Sequence, residues 1–179
     1  MNRTDLNKLL SEITSKRYVN LFAKDDEENK DSLIQTIIPV IRESQLNNLC
    51  IDVDIRNFFE CENESEEAKN LLRIINNNSS ALQNEIFITN AISVTDALDR
   101  LNHALKKPGL LTFHCFRDNR SEKEKDILRA IRKFINMIML EDNIPRFLGI
   151  LIVSSSRIDT WELFPESNLD KRHVGFIAY

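Results

Sequence analysis

His114 and Cys115 stand next to each other at the end of an apolar run, Leu110-Leu111-Thr112-Phe113-His114-Cys115-Phe116. An imidazole beside a thiol is chemistry-bearing in two ways. It can supply a nitrogen and a sulfur to a metal ion, or form a Cys-His nucleophile. The plainer reading is a core thiol next to a histidine, and it carries the greater weight. His103 and His173, the remaining histidines, are not spaced as partners for either role. Asp52 and Asp54 flank Val53, so on a strand both carboxylates project to one face. A nuclease or metal-dependent hydrolase uses such a pair. The usual nuclease pattern adds Glu-x-Lys on the adjoining strand, and Glu85-Ile86-Phe87 lacks the lysine.

Arg117, Arg120 and Arg157 follow predicted strand ends, where open α/β folds take their ligands. Together they would suit an anion or an acidic peptide; scattered surface arginines are the simpler account. Arg129, Arg132 and Lys133 read as a solvated helix face. Trp161, Phe164 and Phe176 read as core or interface aromatics.

The elements that must position these residues alternate strand and helix. Leu6, Leu9, Leu10 and Ile13 recur at helical spacing over an N-terminal extension, residues 1–16. Tyr18–Phe22 reads as a first strand, followed by an acidic turn and a helix over Asp31–Ile41 that contains Pro39. Leu49–Ile55 reads as a second strand. Ala68, Leu71, Leu72 and Ile75 mark a helix, and Asn76–Ser80 reads as a loop by composition. Glu85–Ile88 has the marks of a short extra strand or helical turn. Thr95 is placed to cap a helix carrying Ala97, Leu98, Leu101 and Leu105, which Pro108-Gly109 stops.

Leu110–Phe116 is the third strand. Ser121 with Glu124 makes a capping box for a helix that puts Ile127, Ile131, Phe134, Ile135 and Ile138 on one side. Phe147–Val153 and Val174–Ala178 complete the strands. This alternation predicts one α/β domain over residues 1–179, with a mainly parallel sheet between helices on both faces.

Composition narrows the function classes. With 179 residues, 42% hydrophobic and 29% charged, the chain can bury a sizeable core. A net charge of −4 argues against nucleic acid as a partner. No apolar run approaches the ~20 residues that cross a bilayer, and no membrane partner is expected. No signal-peptide core follows Met1. Cys50, Cys61 and Cys115 form an odd set without repeated spacing, which points to reduced thiols in a cytoplasm.

The strand and helix spacing from Tyr18 onward resembles the P-loop NTPase core, in the flavour of the STAND signal-transduction ATPases and their AAA relatives. Tyr18–Phe22 looks like the strand entering the phosphate loop, and Leu110–Phe116 like the strand bearing the metal-binding acidic pair. Phe147–Ser154 resembles the strand ending in a small polar sensor residue, with Arg157 just beyond. The resemblance implies a three-layer fold with a five-stranded sheet in the order 5-1-4-3-2. Its motifs are degenerate here. With Lys30 as the phosphate-loop lysine, the glycine positions hold Lys24 and Asn29 and the hydroxyl position holds Asp31. From Asp25 to Asp31 five carboxylates face that one lysine, an acidic bend where phosphates need an anion cradle. The acidic-pair positions hold His114 and Cys115, and Asp118 lies too far along to replace them. Neither residue is a hard oxygen ligand for Mg²⁺.

The expected function is therefore a non-catalytic protein-interaction or regulatory module, an inactive STAND-like domain that has lost nucleotide binding. No cofactor is expected, and no residue is assigned as catalytic, cofactor-binding or metal-ligating. A protein partner is expected, and homo-oligomerisation is compatible with the pattern. The alternatives are a metal-dependent hydrolase or nuclease using Asp52 and Asp54 with Asp118, and a nucleotide-binding domain with an unusual loop.

Overall fold

The computed structural model describes residues 3–16, 18–22, 39–40, 43, 49–81, 88–117, 119–141, 145–158 and 174–178. Five strands, β1 (Tyr18–Phe22), β2 (Cys50–Asp54), β3 (Gly109–Phe116), β4 (Leu148–Ser154) and β5 (Val174–Ala178), are joined to helices α1 (Arg3–Lys16), α2 (Glu64–Ala81), α3 (Val94–Ala104) and α4 (Glu122–Leu140). All described strand pairings are parallel. From β1 to β2 the strands run in the order 1-4-3-2, and β5 lies along the free side of β1 with Val174 opposite Tyr18. The α/β class with a parallel sheet, expected from the alternation of periods, is what the structure has.

Strand alternation divides the core in two. Tyr18, Ile51, Val53, Leu111, Phe113, Ile150 and Ile152 face α2, α3 and α4, which supply Leu71, Ile75, Leu98, Leu101, Ile131 and Phe134 to the larger cluster. Val19, Leu21, Cys50, Leu110, Leu151 and Val153 point the other way, to Leu9 and Ile13 of α1. Both faces of a parallel sheet must be covered, because its strands carry apolar side chains on each side. The N-terminal helix expected as an extension thus packs directly on the sheet.

The Ser121 box forms as expected: Ser121 accepts from the Glu124 N–H while the Glu124 carboxylate accepts from the Ser121 N–H. Three local expectations are corrected. Asn76–Ser80 is helical, the last turns of α2. Asn76 Nδ2 donates to the Ile88 carbonyl at 2.9 Å and its Oδ1 accepts from the Ile88 N–H at 3.1 Å, a tertiary clasp that outweighs the loop tendency of asparagine. The cap of α3 is Ser93, whose hydroxyl accepts from the Asp96 N–H. Thr95 instead donates its hydroxyl to the Ala130 carbonyl of α4 at 3.0 Å. The second strand stops at Asp54, and Ile55–Phe58 is a 3-10 turn capped by the Asp54 side chain. The acidic bend Asp25–Asp31, nearly all of the expected Asp31–Ile41 helix, Glu85–Phe87, Asp118, Trp161, Phe164 and His173 lie outside the described residues.

Candidate functional site

Parallel strands bring their C-terminal ends to one edge of the sheet, and that edge holds the polar groups. β2 and β3 are in register with Asp52 opposite Thr112 and Asp54 opposite His114. At His114 the ladder between β3 and β4 breaks: Phe113 pairs with Ile152, whereas Phe116 pairs with Ser154. One extra residue is accommodated on β3, a bulge, and Cys115 adopts φ 72°, the left-handed region that a non-glycine residue seldom enters.

The bulge brings neighbouring side chains together. His114 Nδ1 lies 3.1 Å from Cys115 Sγ, a hydrogen bond in which the thiol donates to the imidazole or the reverse tautomer applies. A donor atom from each of Asp54, His114 and Cys115 lies within 4.8 Å of the others, and all three residues are half-buried. Burial depresses the basicity of His114 and outweighs the opposing pull of Asp54 and Asp52. Burial alone would raise the Asp54 pKa, but Arg56 reverses this and holds the carboxyl below its usual range. Arg56 Nε donates to both Asp54 oxygens at 3.0 and 2.9 Å, Nη2 donates to Oδ2, and the Arg56 N–H donates to Oδ1 at 2.9 Å.

On the opposite sheet face, Asn20 from the middle of β1 meets Ser154 at the end of β4. Asn20 Nδ2 donates to Ser154 Oγ at 2.8 Å and to the Ile152 carbonyl at 3.2 Å. Ser154 Oγ donates to the Ser156 carbonyl at 2.7 Å, and Asn20 Oδ1 accepts from the Ile158 N–H. Both residues are buried. The pair ties the exit of β4 to the core of β1.

Arg117 is committed to the buried Glu124, with Nη2 and Nε 2.9 and 3.2 Å from Oε2, and its guanidinium lies over the Phe59 ring at 5.3 Å. Arg129 pairs with Asp126 and Glu122 along the α4 surface, the solvated face expected of it. His103 pairs with Asp99 within α3. A further polar cleft of about 470 Å³ opens between the starts of α2 and α3 and the side of α4. Across its floor Lys123 Nζ reaches Glu67 at 2.5 Å and the Cys61 carbonyl at 3.0 Å. The Glu67 carboxylate raises the Lys123 pKa.

Sequence reasoning placed Asp52, Asp54, His114 and Cys115 on strands and singled out each of them. It set Asp54 near His114, with Asp52 and Asp118, as the place a residual ligand site would occupy, and did not bring Cys115 to them. The available signal was the shared strand-end position of Asp54 and His114; the bulge that recruits Cys115 left none. Glu67, Asn20 and Asn102 were passed over. Asn102, buried on α3, accepts from the Phe147 and Leu148 N–H groups, both at 2.9 Å, and so pins the start of β4.

No family model matches the chain, and no curated protein matches its sequence. Solved structures do share the fold. A chain of Drosophila ORC bound to DNA superposes with a TM-score of 0.54 at 7% identity, over 98% of this chain and 29% of that one. A chain from Drosophila ORC bound to AT-rich DNA and Cdc6 gives 0.54 at 8% identity, over 98% and 28%. A chain from Drosophila ORC with poly(dA/dT) DNA and Cdc6 gives 0.52 at 7% identity, over 98% and 29%. This chain thus spans under a third of the length of those it resembles. At 7–8% identity the likeness is one of fold.

Proposed function

We propose that this chain is a non-catalytic protein-interaction or regulatory module built on a P-loop NTPase-like scaffold, an inactive STAND-like domain with degenerate phosphate-loop and metal-binding motifs. The observation that carries the reading is the end of β3. Where an NTPase of this fold needs carboxylates to hold Mg²⁺ and orient water, the chain has the hydrogen-bonded pair His114–Cys115 in a bulge. Mg²⁺ demands oxygen ligands in near-octahedral array and takes imidazole and thiol poorly. The run of five carboxylates from Asp25 to Asp31 supports the same reading, because it falls in the sequence where the resemblance puts the phosphate loop.

The partner we expect is a protein. The DNA in the ORC structures belongs to those assemblies, and a net charge of −4 favours no polyanion here. A cytoplasmic setting fits three cysteines that form no described disulfide, and among the described residues no helix is long and apolar enough to cross a membrane. The metal-dependent hydrolase reading, with Asp52 and Asp54 as ligands, has in its favour only that Asp54 lies beside His114 and Cys115.

The test is a thermal-shift series with ATP–Mg²⁺, GTP–Mg²⁺ and Mg²⁺ alone, paired with a phosphate-release assay. A nucleotide at 100 times its Kd would stabilise the fold by about 2.7 kcal/mol. The proposal expects no shift and no phosphate release; a nucleotide-dependent rise in Tm overturns it.

A further inference from the structure

Successive side chains of a regular strand point to opposite faces, so neighbouring residues cannot aim at one point. His114 and Cys115 do so because the bulge and the left-handed Cys115 backbone turn the thiol back toward the imidazole. Asp54, across the β2–β3 ladder, completes a set of one nitrogen, one sulfur and one oxygen. We propose that Asp54, His114 and Cys115 bind a divalent transition-metal ion of the zinc class at the C-terminal edge of the sheet, with the fourth position open to water or a partner's side chain.

The donor chemistry selects the ion. Imidazole and thiolate with one carboxylate suit Zn²⁺ and its neighbours and disfavour Mg²⁺ and Ca²⁺. The spacing is close to what is required: bonds of about 2.0–2.3 Å in a tetrahedron put donors about 3.5 Å apart. Here Nδ1 and Sγ are 3.1 Å apart and no donor pair exceeds 4.8 Å. Side-chain rotation closes that difference without rebuilding the strand. On binding, the S–H bond breaks, its proton leaves to solvent, and the sulfur and Nδ1 lone pairs that share the present hydrogen bond go to the ion. Arg56 already grips the Asp54 carboxylate and becomes the outer partner that orients this ligand. Half-burial of all three residues leaves a path for entry.

This inference does not depend on whether nucleotide binds. The experiment uses the full chain, stripped with chelator and titrated with Co²⁺ as a spectroscopic probe, then with Zn²⁺ as competitor. We expect visible ligand-field bands and a thiolate-to-cobalt charge-transfer band, both erased by Zn²⁺ and unaffected by Mg²⁺. The charge-transfer band should vanish in Cys115→Ser and persist in Cys61→Ser, and His114→Gln should weaken Co²⁺ binding by about tenfold or more. Circular dichroism verifies that the variants fold, and His114→Gln serves as the deciding variant if Cys115→Ser does not. Absence of a thiolate band in the wild-type chain, its survival in Cys115→Ser, or unchanged affinity in His114→Gln overturns the proposal.

Discussion

Arg117 lays its guanidinium against Glu124, 2.9 Å from Nη2 to Oε2, with the arginine side chain largely exposed and the glutamate wholly enclosed. The same carboxylate also accepts from the N–H of Arg117 and from the N–H and hydroxyl of Ser121. One side chain therefore closes the β3–α4 connection and caps α4 at once.

That enclosure predicts an acid-sensitive junction. Burial alone would raise the Glu124 pKa from 4.5, but its bonds to Arg117 and Ser121 outweigh it and bring the group to about 2. A carboxyl whose folded pKa is depressed stabilises the fold above its unfolded pKa and loses that contribution as pH falls from about 4.5 to about 2. Glu124→Gln should cost about 1–3 kcal/mol at neutral pH, from weakened charge-assisted bonds. It should also flatten the stability-versus-pH curve across that window. Urea unfolding followed at pH 2.5, 4 and 7 reads both effects.

Backbone strain at Cys115 predicts an unusual ranking of substitutions. A left-handed φ costs a residue with a Cβ about 1 kcal/mol or more relative to glycine. Cys115→Gly should therefore be more stable than Cys115→Ala by about 1 kcal/mol, the reverse of the order in an ordinary strand. Chemical denaturation midpoints of the two variants decide it; equal or inverted midpoints would refute the strain.

Asn102 predicts a large effect from a residue with no catalytic pretension. Its Oδ1 receives two backbone N–H groups at the start of β4, and its Nδ2 donates to the Pro145 carbonyl. Asn102→Ala leaves the buried Leu148 N–H without its partner and frees the half-buried Phe147 N–H, at an expected cost of about 1–3 kcal/mol. Amide hydrogen exchange should show the loss first at Phe147 and Leu148.

Asn20 and Ser154 should be energetically coupled. Truncating either leaves the other's buried donor or acceptor without its 2.8 Å partner. A double-mutant cycle with Asn20→Ala and Ser154→Ala should return a coupling of about 1 kcal/mol. Strict additivity would mean that the hydrogen bond contributes nothing.

How legible all this was depends on the range of the interactions. The Ser121–Glu124 box and the apolar stripe of α4 are written within a few residues, and the structure matches them. The parallel sheet followed from alternating strand and helix periods. Asn76–Ser80 misled because its helical state depends on a clasp to Ile88, twelve residues away. Thr95 misled for a related reason: two hydroxyl residues stood near the helix start, and only the position of Ala130 on α4 tells which is free to cap. At the candidate site each member could be named, but their meeting could not. It depends on a break in ladder register, which changes neither hydrophobic period nor composition.

The extra residue on β3 has a consequence for side-chain parity. Phe113 and Phe116 are an odd number of positions apart, so an unbroken strand would aim them to opposite sides of the sheet. Both instead sink into the same packed layer, 0% and 3% exposed. Deleting either residue of the His114–Cys115 pair would therefore remove the bulge and leave the two rings two positions apart, still on one side of a now regular strand. The shared layer of the two rings thus survives with or without the extra residue, and what that residue adds is the meeting of the His114 and Cys115 side chains at the sheet edge.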